Sequence, residues 1–145
     1  MSGVALAKAL HLAFISLFVG GTAAGFLLRR AGRSGDDAAR AVAARLIRLV
    51  AIALQVPGLL GALASGVALI ILTPDLDRRP HHWLEVKIAF VLVAGTLAHL
   101  DALRAARAVR TGASDASAAV FRSAFAGVSL LLLAGAIVLV AAKPF

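Results

Sequence analysis

The four histidines, His11, His81, His82 and His99, are the side chains in this chain best suited to bind a metal or carry a proton. His11 stands in the stretch Lys8-Ala-Leu-His-Leu-Ala-Phe14, where an apolar run begins. There it is open to three readings: a cofactor ligand, a proton-handling group, or a polar side chain that packing accommodates through a hydrogen bond. His81 and His82 are neighbours with no nearby third histidine, which makes a weak metal motif. The chain has no cysteine, so disulfides and thiolate metal sites are excluded. Lys8, Gln55, Glu85, Lys87, Asp101 and Arg104 are the other polar groups set in or beside apolar sequence. The GxSxG, Walker A, GxGxxG and HExxH signatures of soluble enzymes are absent.

The elements that must position these groups follow from hydropathy. Hydrophobic residues make up 61% of the 145, against about 45–50% in an ordinary soluble domain even with glycine counted. Ala9–Leu28, Leu49–Leu72 and Ser123–Ala142 contain no formal charge over 20, 24 and 20 residues. Ile88–Leu100 has none over 13 and reaches 21 when extended to Trp83 and Leu103. A helix needs roughly 20 mostly apolar residues to cross the bilayer core. The expectation is an all-α integral membrane four-helix bundle in one domain, 1–145, with spans at about 5–28, 46–72, 83–104 and 120–142. The first run is too long for the apolar region of a signal peptide, and arginines rather than a cleavage site follow it.

The net charge of +8 is concentrated in two connections. Segment 29–48 carries Arg29, Arg30, Arg33, Arg40, Arg45 and Arg48, and segment 101–122 carries Arg104, Arg107, Arg110 and Arg122, together ten of the 15 basic residues. The positive-inside rule puts both segments in the cytoplasm, and both termini and the His81-His82 loop on the outer, periplasmic side of a bacterial-type inner membrane. The basic excess is thus accounted for without nucleic acid. Anionic lipid is the expected partner at Arg29, Arg30, Arg104 and Arg107, because anionic headgroups attract juxtamembrane basic residues. Ser34 or Asp36 is placed to cap a helix after the turn at Gly35. Asp101 and Arg104, three apart, are spaced to pair on one helix.

Within the spans, Gly21-Thr-Ala-Ala-Gly25 is a GxxxG pattern, and Gly61/Ser65 and Ala62/Gly66 repeat small residues at the same spacing. Such faces serve a bundle, a homo-oligomer or docking into a larger complex. Pro57 deprives the Ala53 carbonyl of its helical partner and predicts a kink. Gln55 beside it either satisfies that freed backbone, bonds a neighbouring helix or lines a site. At 1.5 Å of rise per residue, His11 lies roughly 10 Å, Lys87 roughly 6 Å and His99 roughly 24 Å below the outer helix ends. His11 and His99 are therefore too far apart in height to ligate one iron together, since each bond from iron to imidazole spans only about 2 Å.

Several stretches resemble the HemJ-type protoporphyrinogen oxidase family and its CopD-like relatives, which are small four-helix membrane proteins. "KALHLAF" is similar to the family's first-helix Ala-Leu-His motif, and "ARLIRLV" to its entry into the second helix. "WLEVKIAFVLV" resembles its Trp-x-x-x-Lys opening of the third helix, and "AIVLVAAKPF" its basic-Pro-Phe ending. The resemblance implies a haem b site, with His11 as ligand to the haem iron and Lys87 as a cofactor-binding residue. The chain departs from that pattern in three places, one of them His99, which stands one residue past the family's third-helix histidine, a position that a count from Lys87 puts at Ala98. Phe26-Leu27 stands where the family has Pro-Arg, and Phe125–Val128 where it has an Asn-Glu-x-Pro stretch. The function expected on these grounds is a haem-binding or redox-linked membrane protein, with protoporphyrinogen oxidation as a narrower form of it. The alternative is a non-catalytic accessory subunit of a larger respiratory or photosynthetic membrane complex.

Overall fold

The computed structural model describes residues 2–33, 35–73, 82–111 and 124–141, and among these it is helical nearly throughout, with no strand. Five helices follow in order: α1 (Gly3–Arg33), α2 (Asp37–Val50), α3 (Val56–Leu72), α4 (His82–Thr111) and α5 (Phe125–Ala141). A five-residue π turn, Ala51–Gln55, joins α2 to α3 without a break. The segments Gly3–Arg33, Asp37–Leu72 and Leu84–Arg107 are each long and apolar enough to cross a membrane, and Gly127–Val138 is a shorter apolar helix. The all-helical architecture is as expected, and three helices of this length and apolarity fit a multi-pass membrane protein. The helices outrun the expected spans: α1 continues to Arg33, α2 begins at Asp37 and α4 continues to Thr111. At 31 residues, α1 is about 46 Å long against a bilayer core of about 30 Å.

Local chemistry explains the ends. Asp36 sits in extended backbone and its Oδ1 accepts from the Ala39 amide at 2.8 Å, so it is the cap of α2. Asp37 in the first turn pairs with Arg40 at 3.2 Å. Pro57 follows the π turn inside the continuous Asp37–Leu72 helix, where it has no amide hydrogen to return to the preceding turn. The π turn precedes it, with the Val56 amide bonded back to the Ala51 carbonyl five residues earlier. The structure therefore meets the proline with a widened turn.

Helix α1 is the hub, lying along α3 and also meeting α2, the π turn and α5, while α4 lies along α5 and meets α2 at one end. The α1–α3 contact is backbone against backbone: a Cβ at Gly58 would lie 2.6 Å from the Phe18 amide nitrogen. The GxxxG motif is used in the same contact, since a Cβ at Gly21 would meet Leu54 at 2.9 Å and one at Gly25 would meet Arg29 at 3.2 Å and Gln55 at 3.4 Å. Two small clusters make the core: Phe18, Ala94, Ala98 and Leu133 in the middle, and Ala43, Ile47 and Ala105 towards the basic end. Large aliphatic side chains face outward, as at Ile71 (72% exposed) and Leu131 (74%). Thr22, Ser65, Ser129, Arg29 and Asp101 are buried. Small and polar residues inside with aliphatic ones outside is the distribution that lipid favours, because alkyl side chains gain little by leaving a hydrocarbon solvent.

Candidate functional site

His11 projects from α1 onto α3. Its Nδ1 lies 3.0 Å from the Ala62 carbonyl oxygen and 3.0 Å from Ser65 Oγ. A carbonyl only accepts, so Nδ1 carries the proton in this contact. Ser65 is consistent with that assignment: its hydroxyl donates to the Gly61 carbonyl at 2.6 Å, leaving its lone pairs to accept from His11. The ring fits because α3 has no side chain beneath it; a Cβ at Gly66 would stand 3.2 Å from His11 Cε1. The anchored tautomer keeps the Nε2 lone pair for another partner. Lys87, half-buried near the start of α4, is close enough for its charge to act on the His11 ring. Of the two residues expected to serve a cofactor, His11 stands on α1 and Lys87 on α4.

Other expected groups lie elsewhere. Gln55 is buried at the end of the π turn and donates from Nε2 to the Gly21 carbonyl at 3.1 Å, tying α3 to α1. Of the readings open for it, the bond to a neighbouring helix is the one formed. Gln55 also lines a lateral cleft of about 260 Å³ together with His99, which lies well away from His11. His81 and the ending Lys143-Pro144-Phe145 lie outside the described residues, as do residues 112–123. Among the described residues no group of three or more His, Asp or Glu could hold a metal ion.

Two expectations at the basic end are corrected. Arg29 was expected at a lipid surface, but it is 4% exposed and its Nη2 lies 3.3 Å from Asp101 Oδ2, joining α1 to α4. The expected Asp101–Arg104 pairing gives way to this cross-helix contact. Arg104 instead lies over the Phe125 ring of α5, 4.4 Å from its centroid. The physical reason is that Asp101 is 1% exposed, and a buried carboxylate needs a cation that is buried with it. Arg30, Arg104 and Arg107 are exposed as expected. Spacing on one helix could not reveal the Arg29–Asp101 pair. The usable signal was that each closes a charge-free run on the same side of the membrane.

In comparisons with known proteins, no family model matches the chain, and neither a curated protein nor a solved structure matches it.

Proposed function

We propose that this chain is a haem-binding or redox-linked protein of a bacterial-type inner membrane, with His11 as ligand to the iron and both termini on the outer side. The observation that supports the reading is the His11 anchor: Nδ1–H directed at the Ala62 carbonyl, Nε2 left with its lone pair. Ligating histidines characteristically hold their second ring nitrogen in this way, which fixes the tautomer and raises the basicity of the ligand nitrogen. Lys87 supplies a cation near the same ring, suited to an acidic edge of a cofactor such as the carboxylates of haem b. When bound, haem supplies one-electron iron chemistry. The chain's part is to orient the imidazole, hold the proton on Nδ1 and surround the site with apolar helix.

The exposed Arg30, Arg104 and Arg107 fit anionic lipid at the cytoplasmic face, and Arg29 drops out of that set because it is turned inward. The accessory-subunit alternative loses part of its motivation. The small-residue patterns that invited docking are engaged inside the chain, Gly21 and Gly25 around Leu54 and Gln55, and Gly61 under Phe14. Titrating haem into the purified apo-protein in mild detergent tests the proposal. Saturable binding at one equivalent with a Soret band, lost in His11→Ala and retained in His99→Ala, is expected; no saturable binding, or identical binding by His11→Ala, sinks it.

A further inference from the structure

Helices α3 and α4 meet only sparsely, and the cleft between them has its polar groups at one end. Leu59 bridges the two helices over Gly95, where a Cβ would come within 2.7 Å of its Cδ2. Towards the basic end, the cleft is lined by Gln55 from the π turn and by His99 and Ala102 from α4. Towards the middle of the bundle, it is lined by Val56 and Leu60. Val56, Leu60 and His99 are exposed, so the cleft opens sideways to lipid. His99 makes no hydrogen bond among the described residues, although its neighbours are apolar helices. Arg48 is exposed and sits three residues before Ala51, which also lines the cleft, so it stands on the same face one turn nearer the basic end.

We propose that this cleft is a binding site for one anionic phospholipid of the leaflet at the basic end. Its phosphate pairs with Arg48, its ester region meets His99, and one acyl chain lies against Val56 and Leu60. Three observations converge on that occupant. The order of surfaces, cationic at Arg48 one turn beyond the cleft, then polar at Gln55 and His99 and apolar at Val56 and Leu60 within it, is that of a phospholipid. The reach from Arg48 to Leu60 is twelve residues, about 18 Å of helix, which matches one leaflet of a core about 30 Å thick. The cleft is open along the side where Val56 and Leu60 are exposed, so a single chain can lie along it from the lipid without being enclosed. The site is separate from His11 and does not depend on the haem reading.

The test is native mass spectrometry of delipidated full-length protein, titrated with phosphatidylglycerol or with phosphatidylcholine of the same chains. One phosphatidylglycerol should be retained in preference to phosphatidylcholine. Arg48→Gln should weaken phosphatidylglycerol about fivefold, the effect of one basic residue near an anionic headgroup, and leave phosphatidylcholine unchanged. Arg33→Gln, on α1 and outside the lining of the cleft, should change neither. Ala102→Trp should fill the cleft and reduce both lipids, with far-UV circular dichroism reporting that the helices persist; if they do not, the Arg48 and Arg33 comparison decides. Absence of headgroup preference, equal effects of Arg48→Gln and Arg33→Gln, or unchanged binding by a folded Ala102→Trp would overturn the proposal.

Discussion

At the scale of the residue, two buried polar contacts make different demands on the chain. The Arg29–Asp101 pair joins two helices through charges that have left water. Removing one partner strands the other, so Asp101→Ala is expected to destabilise the protein by about 3–5 kcal/mol, and Arg29→Leu added to it should recover most of that loss. Thermal denaturation in detergent checks both; a single variant as stable as wild type would show that the pair is hydrated. The His11 anchor is a matter of tautomer more than of stability. Ser65→Ala leaves the Ala62 carbonyl in place, so haem affinity should fall only about tenfold, the lower end for losing a partner that orients a ligand. Loss comparable to His11→Ala would mean that the hydroxyl, not the carbonyl, sets the ring. His11 and Lys87 were legible in sequence because depth along a helix is simple arithmetic. The hydrogen-bond partners were not, because Ala62 contributes a backbone oxygen that any residue would carry.

At the scale of the element, glycine and proline decide how α3 meets α1. Gly58→Ala pushes a methyl group to within 2.6 Å of backbone, with no flexible side chain to give way. It should cost about 1–3 kcal/mol as overpacking, whereas Gly20→Ala, with nothing within 4 Å, should be close to neutral. Equal melting temperatures for the two variants would contradict the packing described. Pro57 announced a disturbance in the sequence, and its neighbourhood is disturbed, but as a π turn at Ala51–Gln55. A π turn inserts one extra residue into the helical repeat and rotates everything after it. Side-chain faces therefore cannot be carried by a 3.6-residue count from α2 into α3, and the inward placement of Gln55 was out of reach of periodicity.

At the scale of the whole molecule, three of the four expected spans were legible as helices because bilayer thickness sets their length, while the fourth contains the shorter apolar helix Gly127–Val138. The packing order was not: that α1 is the hub and that α3 stands apart from α4 depends on which small residues meet, and small residues line every span. Orientation rests on the placement of arginines. Because the chain has no cysteine, Ser2→Cys and Ala38→Cys each introduce a single reporter. A membrane-impermeant maleimide should label Ser2→Cys from the periplasmic side and Ala38→Cys only after the membrane is opened; the reverse pattern would invert the topology. The central claim is that the bundle holds haem through His11. Its most direct test is the visible absorption spectrum of the protein purified from haem-replete membranes, beside that of His11→Ala prepared in parallel. A Soret band in the wild-type protein that is missing from a folded His11→Ala is the predicted result. No Soret band in either protein, or the same band in both, would contradict it.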